Sequence, residues 1–576
     1  MTTIDTGAIG AAVPRAEFRT CRFSGLRIEA NAEKLIKFNA VTAVLFLALG
    51  GLMGLLVALT RWPAVQILPA DWFYLVLTGH GANVLLFWII FFEIAVLYFA
   101  GAVVLGSRLA APKWAWTGFV LMVVGAVMAN YAVLRGDSTV MFTSYPPLQA
   151  SQWFYLSLVL FAVGALIAVF VFFGTLVVAK AEKTYDGSVP LVTFGAITAA
   201  IIAVFTLASG AIILVPTWLW SLGLVTNIDS LMYKVVWWGM GHSSQQINVS
   251  AHVAIWYAIA AMVVGAKPLS EKVSRMAYFM YILFLQLASA HHILAEPGMS
   301  SAWKIVNTSY MMYLAVMGSM IHGLTVPGAI EAAQRRNGFT RGAFEWLTKA
   351  PWGNPAFSGM FLSLVMFGFI GGISGVVLGT EQLNVLMHNT IYVPGHFHGT
   401  VVAGTTLAFM AATFLLVPLL FQRDIIWPRL AKWQPYVFGL GAAGISLFMM
   451  GAGTLGVPRR QWDISLADAV LRFEFPPAAY LMMGLNGISG VLAATGGVMF
   501  IVIIVATILA GPRLDRPGAK LAFPLHDKAR ERVSTYGSEG TLKLPGTIIL
   551  VTLFFAAFVL YYFVNWKYLS ELWLFR

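Results

Sequence analysis

The sequence predicts an all-α, polytopic membrane protein of about 13 transmembrane helices, and three observations carry that prediction. Of the 576 residues, 59% are hydrophobic. Only 10% are charged, where a soluble globular domain carries roughly 25%. The apolar residues gather in segments long enough to cross a hydrocarbon core of about 30 Å, near 36–60, 75–107, 115–134, 152–179, 192–216, 232–266, 274–296, 303–328, 355–379, 389–421, 434–457, 480–511 and 545–566. This composition excludes an ordinary water-soluble enzyme. The single cysteine, Cys21, excludes an intrachain disulfide, a CxxCH haem attachment, an iron–sulfur cluster and a cysteine-rich zinc or copper site. Any metal must be held by other ligands.

A net charge of +12 would suggest nucleic acid in a soluble chain. Here most Lys and Arg fall in the connections on the N-terminal side of the membrane. The positive-inside rule therefore places the N-terminus in the cytoplasm and the C-terminus outside, and predicts a lipid partner and no nucleic acid.

Taken in order, residues 1–35 carry four arginines and no apolar run, which reads as a cytoplasmic extension rather than a cleavable signal peptide. Residues 36–576 form one transmembrane domain. The second segment runs inward with His80 near its start and Glu93 deep within it. Glu93 is either a proton-handling group or a buried acid satisfied by a neighbour. The sixth also runs inward, with His242 in its outer half, and the seventh returns with His291 and His292 near its outer end. The eighth offers Thr308, Ser309 and Ser319, and the tenth carries His396 and His398. Arg459 and Arg460 follow the eleventh, on a side otherwise poor in cations. The stretch 512–544, with Pro517 and Pro524, is a cytoplasmic loop before the last helix.

Six histidines from four segments thus share one depth toward the outer face, an arrangement that a buried metal or cofactor centre explains and chance scatter does not. A helix turns about 100° per residue, so His396 and His398 project from opposite sides and can each hold a different planar cofactor. His291 and His292, with His242 opposite, can form a three-imidazole site with an open position, suited to copper, iron or zinc. His80 supplies a second axial ligand to one of the two cofactors. His252 and His322 read as interhelical hydrogen-bonders, and His526 as a loop residue.

These histidines stand in extended motifs: Trp237-Trp238-Gly239-Met240-Gly241-His242, His291-His292 before Glu296-Pro297-Gly298, Pro351-Trp352-Gly353-Asn354-Pro355-Ala356-Phe357, His388-Asn389-Thr390, Val393-Pro394-Gly395-His396-Phe397-His398, and Val457-Pro458-Arg459-Arg460. With them the chain resembles the catalytic subunit I of the haem–copper oxidase superfamily, most of all its B-type branch. The resemblance implies that His80 and His398 clamp a low-spin haem, that His396 is the single protein ligand of a high-spin haem, and that His242, His291 and His292 hold a non-haem copper or iron. It implies a prokaryotic plasma membrane as the location. It also places His388 by a haem propionate, and Arg459 and Arg460 can pair with propionates as bidentate forks; otherwise these arginines are solvated loop charges. Haem type, b or a, is not readable.

Departures from the branch pattern shape the expected function. B-type oxygen reductases carry a tyrosine four residues after the sixth-segment histidine, because splitting O2 in one step takes four electrons and the tyrosine gives one. Here that position is Gln246, on the same helical face as His242, and an amide cannot be oxidised to a radical. A third branch places the tyrosine six residues before the histidine pair, where this chain has Leu285. Along regular helices Tyr281 and Tyr257 would be roughly 15 and 22 Å away. Coupling two NO to N2O needs only two electrons, so the resemblance implies a nitric oxide reductase, with His242, His291, His292 and Gln246 at its catalytic centre. The alternatives are an oxygen reductase recruiting a tyrosine such as Tyr310 or Tyr392, and a histidine-relay secondary transporter.

Further departures concern protons and electrons. Asn384 stands where the B-type pattern has an acid. An ungapped count from His292 puts Gly318 and Ile321 at two hydroxyl positions of the eighth helix. Lacking a copper entry site and a haem c motif, the chain predicts a second subunit with an outer-face copper or haem c domain, fed by cytochrome c or a cupredoxin; quinol is the other donor.

Overall fold

The computed structural model describes residues 16–285, 288–466, 470, 473–540 and 543–571; most of the N-terminal extension, residues 1–15, lies outside them. The chain enters through a hairpin, β1 (Phe18–Thr20) paired antiparallel with β2 (Arg27–Glu29). Glu29 then caps α1 (Ala30–Thr60) by accepting from Ala32 N. Long helices follow: α2 (Ala70–Val103), α3 (Pro112–Leu134), α4 (Gln152–Ala181), α5 (Leu191–Ser221) and α6 (Ser230–Val264). After the shorter α7 (Glu271–Met280) come α8 (Ser301–Arg336), α9 (Pro355–Gly379), α10 (Tyr392–Phe421), α11 (Pro428–Thr454), α12 (Pro477–Ala510) and α13 (Pro545–Glu571). Twelve of these are long and apolar enough to cross a membrane.

The seventh apolar segment is the exception to regular helix. It runs as α7, a π-turn at Tyr281–Leu285 and a 3₁₀ turn at Ala288–His292. The break falls directly before the histidine pair. Other π-turns interrupt α2 at Ala82–Trp88, just past His80, and α10 at His398–Thr406. Such one-residue insertions re-aim side chains and gather at functional sites.

Burial ranks the helices. Over their most apolar stretches α6 is 94% buried, α10 89% and α2 78%, whereas α13 is 6% buried. The central helices are therefore those bearing His242, His396, His398 and His80, and α13 lies on the rim. With no hydrophobic drive between helices in lipid, close packing depends on small residues. A Cβ at Gly441 of α11 would strike the backbone of Ala493 on α12, and one at Gly164 of α4 would meet Met122 of α3 at 2.8 Å.

Candidate metal and cofactor site

Three imidazoles meet where α6 faces the 3₁₀ turn. One nitrogen each from His242, His291 and His292 lie within 4.8 Å of one another, with His242 Nδ1 and His292 Nε2 2.9 Å apart. The His242 ring stands edge-on to His291, centroids 4.3 Å apart at 89°. Buried His242 Nε2 has no hydrogen-bond partner. An unpaired buried polar atom costs about 1–3 kcal/mol, and a bound cation relieves that cost. Three neutral nitrogen donors with an open fourth side fit copper, iron or zinc. Trp238 stacks flat on His292, centroids 3.6 Å apart and 5° from parallel, while its Nε1 donates to Tyr145 Oη at 2.6 Å.

Gln246 is buried one turn beyond His242 on the unbroken α6. Among the described residues, the aromatic rings in contact with the three imidazoles, besides one another, are Trp238 and Phe397. Neither tyrosine suggested for recruitment joins them. Tyr310 is 66% exposed on the outside of the bundle, and Tyr392 hydrogen-bonds Tyr561 at 3.0 Å.

His80 and His398 face each other from α2 and α10, with near-parallel rings 19° apart and centroids 6.4 Å apart. Two imidazoles on opposite sides of one metal, at bonds of about 2.0 Å, place their ring centres at about that separation. Each ring is already fixed by its Nδ1, donating to Gly50 O at 2.8 Å in His80 and to Pro394 O at 2.7 Å in His398. That leaves each Nε2 for a metal, the arrangement expected of ligating histidines. Both line a cavity of about 530 Å³, within the size of cofactor pockets. The donors and the space fit a bis-histidine haem.

Gly54 makes room for this pair, since a Cβ there would lie 2.6 Å from His80 Cε1. Gly54→Ala should therefore displace the ring and remove low-spin haem signals while sparing the high-spin ones. Reduced-minus-oxidised visible spectra of the purified variant check this, and an unchanged low-spin band would count against the His80 assignment.

His396 points to the other side of α10, its Nδ1 2.9 Å from Ser374 Oγ on α9. The divergence of His396 and His398 expected from helix geometry is thus observed. Its anchor again occupies Nδ1 and leaves Nε2 for a metal, which fits a second haem.

Arg61, Arg459 and Arg460 also line the large cavity. The Arg459 loop is held by Arg459 N donating to Asn389 O at 2.7 Å, and Arg61 Nη2 donates to Arg459 O at 2.7 Å. Burial pulls Arg459 down to about 10, with Arg460 and Arg61 adding to the effect, and burial alone pulls Arg61 down to about 10. Among the described residues no carboxylate makes an ion pair with any of the three. Three clustered cations, Arg61 buried and Arg459 and Arg460 half-buried, none in an ion pair, fit the carboxylates of a haem edge. Arg61 was not marked by sequence reasoning, although a cation at the outer end of α1 was a usable signal.

His388 lies 3.8 Å from Glu296, whose other oxygen pairs with Lys234 at 2.7 Å. Burial lowers the His388 pKa despite that carboxylate. Asn384 donates to His291 O and Leu378 O, tying the metal-site turn to α9 through a neutral amide. In the sequence Trp238 stands only as part of a motif and Ser374 carries no signal, because stacking and anchoring are tertiary contacts. Glu93 is a buried acid with a neighbour: with the Asn248 amide turned toward it, the two bond at 2.7 Å. His252 and His322 each hydrogen-bond another helix through Nδ1, to Thr405 and Tyr257.

Comparison with known proteins agrees with this geometry. The family model of cytochrome c and quinol oxidase polypeptide I matches residues 34–485. The chain belongs to this family of haem–copper oxidase catalytic subunits. It is 30% identical to cytochrome c oxidase subunit 1 of Thermus thermophilus over 84% of this chain and 85% of that protein. Quinol oxidase subunit 1 of Bacillus subtilis is 22% identical over 78% and 69%. A heme-copper terminal oxidase dimer seen by cryo-EM superposes with a TM-score of 0.80 at 26% identity, covering 94% of this chain and 92% of that one. The protein is a multi-pass membrane oxidoreductase of the respiratory type, and the transporter reading falls. Haems and a copper or other metal are the family's cofactors. Its members work with further subunits and with cytochrome c or quinol donors.

Proposed function

We propose that this subunit reduces nitric oxide, joining two NO with two electrons and two protons to give N2O and water. One observation carries the reading: Gln246, not tyrosine, stands one turn after His242, and among the described residues no tyrosine ring contacts the three imidazoles. In this reading His80 and His398 hold the low-spin haem and His396 the high-spin haem. His242, His291 and His292 hold a non-haem copper or iron, and Arg459 and Arg460, joined by Arg61, bind propionates with His388 alongside. When bound, the high-spin haem iron and the facing metal supply the two electrons and the two coordination sites. The protein's part is to fix the His80, His398 and His396 imidazoles through their Nδ1 contacts and to bring protons. Electrons reach the low-spin haem from a second subunit with an outer-face copper or haem c domain, supplied by cytochrome c, a cupredoxin or quinol. The N-terminus lies in the cytoplasm of a prokaryotic cell and the C-terminus outside, with residues 1–35 as the extension, 36–576 as the catalytic domain and 512–544 as a cytoplasmic loop.

A second reading, oxygen reduction, is favoured by the names of the relatives and by Trp238, which is stacked on His292 and can give an electron that the missing tyrosine cannot. Matched NO- and O2-electrode measurements on the enzyme with its partner separate the two. Faster NO than O2 consumption under equal electron supply is expected. Sustained O2 reduction well above the NO rate, lost in Trp238→Phe, would replace the reductase reading with the oxidase one.

A further inference from the structure

A track of buried hydroxyls runs through Tyr257 of α6. Tyr257 Oη is a hub buried in α6, bonded to Thr325 Oγ1 at 2.7 Å, His322 Nδ1 at 3.0 Å and Ser274 Oγ at 3.1 Å. The face of α8 meeting the tyrosines is Ser319, His322 and Thr325, with Ser319 Oγ 3.0 Å from Tyr281 Oη. A π-turn at Asn307–Met311 precedes this face. His322 Nε2 is buried without a partner.

One turn before Ser274 on α7 is Glu271, 1% exposed, at the end of the bundle opposite the histidine cluster. It is covered by a strap from the 512–544 loop. Gly537 N donates to Glu271 Oε1 at 3.4 Å, Glu271 N to Ser538 Oγ at 2.9 Å, and Glu539 N to Pro268 O at 2.7 Å. Glu271 and Tyr257 line one small cavity with Arg532 and Thr535 of the strap. Its volume of about 10 Å³ suits a single water. Arg275 bonds Glu271 Oε2 at 3.1 Å, but it also donates to Ser188 and Val189 O, so its place does not depend on the carboxylate alone.

We infer that Glu271 is the proton-loading carboxyl of this subunit, filled from beneath the 532–539 strap and emptied through one water to Tyr257 and His322. Glu271 takes a proton from water at the strap and passes it to the cavity water, which protonates the Tyr257 oxygen as the tyrosine gives its own proton to His322 Nδ1, leaving the imidazole as the charged carrier at the inner end of the track. Burial raises the Glu271 carboxyl above its ordinary range against the pull of Arg275, which favours its protonated form. The entrance lies within this chain and requires no partner subunit. The inference rests on the family's proton-consuming chemistry, not on the choice of NO, because both gases take up protons.

Turnover of the purified enzyme with its partner, in H2O and D2O and with each gas, tests it. Glu271→Gln should be at least about tenfold slower with either gas, keep both haem spectra, and show an enlarged D2O effect; Glu271→Asp should fall between it and wild type. Tyr257→Phe, which preserves the ring packing, should show the same enlarged effect, and the double variant should be no slower than the slower single one. Rates within twofold of wild type in Glu271→Gln overturn the proposal, as do multiplying effects in the double variant. Should Glu271→Gln lose haem, Glu271→Asp and Tyr257→Phe decide, since wild-type turnover and isotope effect in both would overturn it equally. Each effect is a ratio to wild type with the same gas, so a wrong substrate assignment leaves the result readable.

Discussion

Replacing His396 by alanine should erase the high-spin haem signal, leave the low-spin spectrum standing, and lower gas reduction by at least about a thousandfold, some 4 kcal/mol of barrier. The separation follows from how the two cofactor positions are built. His398 is anchored by Pro394 O and faces His80, whereas His396 is anchored by Ser374 on the other side of α10. Loss of His396 removes the imidazole nitrogen offered on that side and leaves the His80–His398 pair and its backbone anchors in place. His80→Ala or His398→Ala should give the mirror result, with the low-spin bands lost and the high-spin signals kept. Haem extraction with paired reduced and oxidised spectra reads the outcome. One haem per wild-type chain, or loss of both haems in every variant, would sink the two-haem assignment.

Histidine depth was legible in the sequence because an imidazole inside an apolar span is costly unless something uses it, and a two-residue spacing on a helix permits only divergent side chains. The structure adds what spacing cannot hold. Gly50 O, Pro394 O and Ser374 Oγ, the anchors that leave each Nε2 for a metal, come from elements distant in sequence or from a turn's own backbone. The flat Trp238 stack depends on where the broken seventh segment places His292. The π-turn on α8 is likewise silent in the sequence, since it leaves no mark in hydropathy. Gln246 is the opposite case. Its identity was plain from the sequence, and what needed coordinates was whether a tyrosine from another helix reaches the three imidazoles.

The non-haem metal should be separable from both haems. His242→Ala or His291→Ala should leave both haem spectra intact, lower the content of the third metal to a small fraction of one per chain, and reduce NO turnover by about a thousandfold or more. Three nitrogens within 4.8 Å make a site that two cannot replace, because removing one imidazole leaves an incomplete donor set in a buried position. His292→Ala carries a further consequence, since it also removes the ring on which Trp238 stacks. It should therefore perturb Trp238 fluorescence in a way that His242→Ala does not. Gln246→Ala provides the contrast. If the amide is not a required ligand, metal content stays near one per chain and turnover falls far less than in the histidine variants. Elemental analysis of the wild type, giving copper or iron, names the ion, and full metal retention in His242→Ala would show that the three-imidazole cluster is not the site.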